Sequence, residues 1–215
     1  MRKIIILSVL FCALIVTAQA QTEKPKPILF FGGGMGLPMG PDLFKDFWKS
    51  GIGIGGGVGF EVNPNIELQA AIYYNNFPTD EDAFLDYIAD MIGEDPTGLS
   101  LDGGSTRIIE AMANAKYKLG GSNSSSSVKP YVLGGAGFAN LSFSDVTASY
   151  EGETETVTFE STTKLALNIG AGADFMVGPK IGIFVEGKYS MVFTEGDATN
   201  YVPIRAGMTF KLGSE

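Results

Sequence analysis

The side chains of this sequence that could do acid–base or nucleophilic chemistry are carboxylates, lysines and tyrosines, because it contains no histidine and one cysteine, Cys12. Catalytic triads, Cys-His dyads and histidine metal sites are therefore excluded. Cys12 lies in an N-terminal apolar run that we expect to be removed, which also excludes disulfides and thiol sites from the rest of the chain. We expect that the protein is not an enzyme and takes no cofactor or metal.

A set of charged residues falls on the polar face of segments in which apolar and polar residues alternate. If these segments form an eight-stranded barrel with its apolar face outside, the charged residues lie in its lumen. Two roles fit these residues: an ion path or gate, or buried salt bridges that fill the lumen. The second is favoured, because eight strands leave just enough room for side chains and buried charges persist only when paired. The wider set of candidates is Glu61, Glu67, Glu110, Lys116, Lys164, Asp174, Glu186, Lys188 and Arg205. The lumen charge network expected from them is Glu110, Lys116, Lys164, Glu186, Lys188 and Arg205.

The N-terminus has the three parts of a secretory signal peptide. Arg2 and Lys3 form a basic region, residues 4–16 form an apolar run, and Ala18 and Ala20 occupy the two positions that a signal peptidase reads. An N-terminal membrane anchor is the alternative. It is disfavoured because a spanning helix takes roughly 20 apolar residues, more than this run provides.

Cleavage after that motif would divide the chain into a signal peptide, 1–20, and one mature domain, 21–215. The two basic residues lost leave 13 of the 15 against 24 acidic ones, a net charge of −11. Such an acidic domain is not built to bind nucleic acid phosphates. The mature part also lacks a run of about 18 apolar residues, so it could span a membrane only as a closed barrel.

Eight segments of the mature chain alternate between apolar and polar residues with a period of two, which predicts β-strands. They are residues 28–36, 51–62, 66–75, 105–119, 130–143, 157–177, 181–193 and 201–212. The connections between them alternate between longer loops and short turns, which is typical of outer-membrane barrels. The sequence therefore predicts an all-β fold, an eight-stranded antiparallel up-and-down transmembrane barrel.

Two of the longer connections contain helix-like stretches, over residues 41–48 and 80–92. Thr79 is the expected N-cap of the second helix and Gly93 its end. The connection that holds it, 76–104, is strongly acidic. Divalent cations could bind there, but the spacing matches no EF-hand loop, so a solvated polar helix face is favoured.

Alternation does not say which face lies inside, and a soluble lipocalin-like carrier would turn its apolar face inward. An apolar outer face is favoured, because the polar face is rich in small residues and poor in charge. Aromatic residues near the ends of the apolar face suggest girdles at the membrane interfaces. They are Tyr74, Tyr117, Tyr131, Phe143, Phe175, Phe193 and Phe210.

The last segment resembles the C-terminal signal by which outer-membrane barrels are recognised for insertion, with Gly207, Phe210 and Leu212 at the matching positions. Residues 129–138 and 170–189 are similar to the OmpA-like and OmpX-like β-barrel family. The resemblance covers the whole mature chain. It implies outer-membrane lipid and the barrel-insertion machinery as partners, and a blocked or weakly conducting interior.

The function that we expect is a structural or surface-interaction role in the cell outer membrane, as a monomer. The connection 76–104 would meet a surface partner. The first alternative is a module that binds or transports small hydrophobic ligands, with the helix of that connection as a lid. The second is the soluble carrier.

Overall fold

The computed structural model describes residues 27–93, 98–121, 126–150 and 153–212. The predicted signal peptide, with its cleavage motif at Ala18 and Ala20, lies outside the described residues. In chain order the elements are β1 (Pro27–Gly40), α1 (Asp42–Phe47), β2 (Gly51–Glu61), β3 (Ile66–Pro78), α2 (Glu81–Ile92), β4 (Leu99–Gly103), β5 (Ser105–Lys118), β6 (Val128–Phe143), β7 (Val146–Tyr150), β8 (Glu153–Val157), β9 (Thr162–Met176), β10 (Ile181–Val192) and β11 (Thr199–Lys211).

Within the described part of the chain, eight strands close into an antiparallel barrel in the order β1-β11-β10-β9-β6-β5-β3-β2. Sequence neighbours pair along the sheet, and β1 closes it by pairing with β11, where Gly32 lies opposite Gly207. The short turns gather at one end of the barrel, the turn end, and the longer connections at the other, the loop end. The predicted fold class is confirmed.

Neither helix of the described residues is long and apolar enough to cross a membrane.

The two faces of the strands differ as the alternation predicts. Apolar side chains point outward, and Ile52 is 72% and Ile169 68% exposed. Charged and polar side chains such as Glu110, Lys188 and Arg205 are buried inside. The soluble carrier, which needs the opposite arrangement, is therefore not supported.

Strand β6 corrects the list of expected girdle residues. Tyr131 is buried in the lumen, and Phe143 is on the same inward phase at the loop end. The outward positions of this strand are instead Val132 and Phe138. Because β6 has apolar residues in both phases, its alternation does not identify the outer face.

The loop end contains a second sheet that the alternation does not predict, with the order β4-β7-β8. All five residues of β8 are exposed, so neither of its faces imposes an apolar pattern. The expected strand over 157–177 is wrong at its start, because Val157 ends β8 and β9 begins at Thr162.

Both predicted helices are present, with one correction at an end. The N-cap of α2 is Asp80, whose carboxylate accepts a hydrogen bond from the Ala83 backbone N–H. The Thr79 hydroxyl donates instead to the carbonyl of Gly104. Gly93 ends the helix as expected, in a left-handed conformation at φ 76°.

Glycines on the inward phase of β1 and β2 make room for large side chains of other strands. A Cβ atom on Gly36 would lie 2.8 Å from the ring of Phe77, and one on Gly32 would lie 2.8 Å from the ring of Phe184. A Cβ atom on Gly55 would overlap the ring of Tyr73. The glycine-rich face therefore lets aromatic rings fill a narrow lumen.

Candidate functional site: the barrel lumen and its loop-end mouth

At the turn end of the lumen, Lys118 lies between two carboxylates. Its Nζ is 2.5 Å from an oxygen of Glu61 and 2.8 Å from one of Glu67. Gln69 donates a further hydrogen bond of 2.8 Å to Glu67. Lys118 was not in the expected network, although its position on the inward phase of β5, two residues after Lys116, was the signal that could have identified it.

The next layer of lumen side chains, counted along the barrel axis from the turn end, is centred on Lys116. Its Nζ donates to both carboxylate oxygens of Asp174, at 2.7 and 3.0 Å, and lies 3.8 Å from the centre of the Tyr131 ring. The Tyr131 hydroxyl in turn donates to Glu186 at 3.1 Å. Tyr131 thus links the Lys116–Asp174 ion pair to the carboxylate of Glu186.

In the middle of the lumen, the ring of Tyr73 is in contact with two cations. The Nζ of Lys188 lies 3.6 Å from the ring centre, and the guanidinium carbon of Arg205 lies 4.5 Å from it. Lys188 is also 3.2 Å from an oxygen of Glu186. The π face attracts both cations and the carboxylate balances one of them, so like charges can be packed closely.

Side-chain amides connect this level to the neighbouring strands. Asn168 donates to Asn114 at 3.1 Å, and Asn114 donates to the Tyr73 hydroxyl at 3.4 Å. This chain crosses from β9 through β5 to β3, so the middle of the barrel is filled from three strands.

Towards the loop end the polar groups pair less completely. Arg205 donates to Asn75 at 2.6 Å, and Asn75 donates to the Tyr201 hydroxyl at 3.2 Å. Glu110 is fully buried and is attracted by Lys188 and Arg205. Among the described residues, neither of its carboxylate oxygens has a hydrogen-bond partner of ordinary geometry, although Tyr201 lies close by.

Lys164 stands apart from the other residues expected in the network. The structure brings Glu110, Lys116, Glu186, Lys188 and Arg205 together in the lumen, whereas Lys164 lies at the loop end of β9. There its Nζ is 2.6 Å from Glu195, whose side chain is 92% exposed. The hydrogen bond from Lys164 lowers the pKa of the Glu195 carboxyl.

Aromatic residues close the loop end of the lumen. The short helix α1 inserts Phe44, whose ring contacts those of Phe77 and Trp48 at centroid distances of 5.2 and 5.6 Å. Phe77 also contacts Tyr201 at 5.3 Å, and Trp48 contacts Phe143 at 6.5 Å. We call these five residues the aromatic cap. It accounts for the inward position of Phe143.

A small cavity remains between the charged levels. It is lined by Lys116, Glu186 and Arg205 together with the rings of Tyr73 and Tyr131, and its volume is about 20 Å³. This is room for about one water molecule. The lumen is therefore filled rather than open.

The acidic connection between β3 and β5 shows no metal centre where the structure describes it. Across the ranges 27–93, 98–121, 126–150 and 153–212, no group of three or more acidic side chains is arranged to hold a metal ion.

The residues of the expected insertion signal lie on both faces of β11. Phe210 is on the outward phase, half-buried, and stacks on Phe31, with ring centroids 5.9 Å apart, and Leu212 is exposed. Gly207 is on the inward phase, where a Cβ atom would lie 2.6 Å from the ring of Phe184. Closure of the barrel by β1 and β11 thus depends on a glycine at this position.

Comparison with known proteins agrees with this architecture. The crystal structure of Neisserial surface protein A is similar with a TM-score of 0.53 and 15% identity, over 86% of this chain and 97% of that chain. A major outer membrane protein from Thermus thermophilus gives 0.52 and 12%, over 88% and 100%. At these identities the likeness shows the fold alone.

No curated protein matches the sequence significantly. The family model described as outer membrane protein beta-barrel domain matches residues 6–213, which confirms the resemblance seen in the sequence. The chain therefore belongs to the outer membrane protein beta-barrel domain family.

Proposed function

We propose that this protein is a non-conducting outer-membrane barrel that has a structural role and presents its loops as an interaction surface. The filled lumen is the observation that supports the proposal most directly. Ion pairs occupy the turn end, Tyr73 lies among cations in the middle, and the aromatic cap closes the loop end. A solute path would have to break contacts at each of these levels.

The energetics of the ion pairs support a closed lumen. Lys116 and Asp174 are both buried, with side chains 4% and 10% exposed. Separating such a pair without water or a new partner leaves an uncompensated buried charge, which costs roughly 3–5 kcal/mol. Opening the lumen by side-chain movement therefore has a large barrier at this level alone.

Transport or binding of a small hydrophobic ligand finds no support in the lumen. Pockets for such ligands are typically about 300–1,000 Å³ and mostly apolar. The cavity beside Tyr73 is about 20 Å³, far below that size, and Lys116, Glu186 and Arg205 are among the residues that line it.

The proposal includes how the protein reaches the membrane. A signal peptide cleaved after Ala20 would direct export, and Gly207, Phe210 and Leu212 would be recognised by the insertion machinery. The outward phase of Phe210 and the exposure of Leu212 support this, because they turn these two side chains toward the lipid side. The protein would act as a monomer in outer-membrane lipid, since pairing of β1 with β11 leaves the barrel with no free strand edge.

Planar-bilayer recording tests the closed lumen. We expect the refolded protein to show no sustained single-channel steps, because the rings of Tyr73 and Tyr131 and the charged residues around them leave room for about one water molecule. Sustained large currents would overturn the proposal.

Two matched double variants make the recording specific. Tyr73→Ala with Tyr131→Ala removes two lumen rings and should allow measurable current. Tyr117→Ala with Tyr189→Ala removes two exposed tyrosines from the outer face and should leave the bilayer silent. Equal currents from both variants would show that the lumen rings are not what blocks conduction.

A further inference from the structure

The helix α2 has an apolar face that the rest of the described chain covers only in part. By their helical spacing the residues of this face are Phe84, Tyr87, Ile88, Met91 and Ile92. The ring of Phe47 in α1 contacts Phe84 and Tyr87, with centroid distances of 5.5 and 5.4 Å. No residue of α2 is buried, and Met91 remains 66% exposed. Because so short a helix is marginal in water without packing, this face needs a covering surface.

Helix α1 extends the exposed apolar area. Its Leu43 is exposed, whereas the next residue, Phe44, is buried in the aromatic cap. We call the five exposed apolar residues of the two helices, together with the half-buried Phe47 between them, the α1–α2 patch. It consists of Leu43, Phe47, Phe84, Tyr87, Met91 and Ile92. Contiguous exposed apolar residues of this kind mark sites of interaction.

The loop end that carries the patch is strongly acidic. The four connections at this end span 41–50, 79–104, 144–161 and 193–198. They hold 17 of the 24 acidic residues and two basic ones, a net charge of −15. Charge of one sign at such density raises the local concentration of cationic partners and speeds their association.

The helix itself carries carboxylates that form no ion pair within the described part of the chain. Asp82, Asp86 and Asp90 are spaced four residues apart, and like charges at this spacing destabilise a helix. None of the ion pairs among the described residues includes any of the three. Asp90 is also near the C-terminal end, where the helix dipole disfavours an anion, and the last turn has no basic residue. Such local conflicts are expected at functional sites.

We propose that the α1–α2 patch binds a basic amphipathic segment of another protein, whose apolar side chains cover Tyr87, Met91 and Ile92 and whose lysines or arginines face the surrounding carboxylates. This inference rests on the surface role proposed above and names the chemistry of the partner. A second copy of the chain is disfavoured, because it would bring two acidic loop ends together. A lipid surface is disfavoured because it would place this acidic end against negatively charged phosphate groups. The charge therefore selects a basic protein segment.

The binding can be measured with a synthetic probe and the barrel in phosphatidylcholine nanodiscs. The probe is a helical peptide of about 15 residues with leucine on one face and lysine on the other. We expect saturable binding above that to empty nanodiscs, with an affinity that falls as salt is added. A peptide with glutamate in place of lysine should not bind.

Three double variants assign the binding to the patch. Tyr87→Ser with Met91→Ser, and Asp86→Asn with Asp90→Asn, should each weaken binding about tenfold or more, as expected for lost apolar burial or charge pairing. Glu153→Gln with Glu155→Gln removes the same charge from the exposed strand β8 and should change affinity by less than about twofold. Slower migration of the boiled than of the unboiled protein in gels verifies that each variant is folded.

Each other result contradicts the inference. Loss of binding in all three variants would mean that general acidity attracts the peptide. Binding of the patch to anionic vesicles, or self-association of the barrel that Tyr87→Ser with Met91→Ser abolishes, would identify a lipid or a second copy as the occupant. No binding of the lysine peptide would refute the inference. The peptide-binding measurements are independent of conductance, so the bilayer recordings test the closed lumen separately.

Discussion

The turn end of the lumen holds its charges in direct ion pairs, whereas the loop end holds charges that attract one another at longer range beneath an aromatic cap. Lys118 contacts Glu61 and Glu67 directly. Glu110, by contrast, has no ordinary hydrogen bond in the described part of the chain and lies below Phe77 and Tyr201.

The difference shows two ways of filling a narrow barrel. At the turn end, strands bring cations and carboxylates into register, and partial exposure of Glu61 reduces the cost of burying charge. At the loop end, the helix α1 inserts Phe44 into the mouth and excludes solvent with an apolar surface. We therefore expect charge substitutions to lower the stability of the barrel strongly at the turn end. At the loop end, stability should depend mainly on apolar packing.

Lys118→Met should have the largest effect. The substitution leaves the carboxylate of Glu67, which is 3% exposed, without its ion-pair partner. Breaking one side of a buried pair costs roughly 3–5 kcal/mol. Urea unfolding of the refolded barrel in lipid vesicles measures the loss.

A second variant identifies the cause of that loss. Lys118→Met combined with Glu67→Gln removes both charges and should recover a large part of the stability, because replacing a whole buried pair is often nearly neutral. If the double variant is as unstable as the single one, lost packing and not the orphaned carboxylate explains the effect.

The sequence predicts the barrel well because each strand is buried on one side and faces lipid on the other. Alternation follows that asymmetry, as in β10, where Ile183 is outward and Glu186 is inward. It gives the face of a residue but not its height along the barrel axis. Lys164 therefore has the phase expected of a lumen residue, yet lies at the loop end beside Glu195.

Other features leave no periodic signal in the sequence. Strand β8 is exposed at all five residues, and Tyr131 lies on a strand with apolar residues in both phases. The six residues of α1 are too few for a helical period to show that Phe44 enters the mouth. These features depend on contacts between segments distant in sequence, such as Phe44 with Phe77.

The next largest effect should come from the outer face of β10. Ile183→Arg places a cation in lipid and should cost roughly 2–4 kcal/mol near the midplane, so that folding yield in vesicles falls. Glu186→Gln, on the inward phase, should still insert with altered stability, since Lys188 and Tyr131 lose a charged partner. Normal folding of Ile183→Arg together with failure of Glu186→Gln would mean that the two faces are inverted.

Glu110→Gln should change the free energy of unfolding least, although the Glu110 carboxylate is more deeply buried than that of Glu67. Replacing it by an amide removes attraction to Lys188 and Arg205, which destabilises the barrel. The same change removes a buried charge without ordinary hydrogen bonds, which stabilises it. Lys188 keeps Glu186 and the ring of Tyr73, and Arg205 keeps Asn75. The two contributions should nearly cancel, leaving a change of about 1 kcal/mol or less in the free energy of unfolding.

Urea unfolding in the same vesicles compares the stability of Glu110→Gln with that of Lys118→Met. A loss as large as that of Lys118→Met would show that Glu110 is the main counter-charge of the loop end, and that both ends of the lumen depend on ion pairs alike.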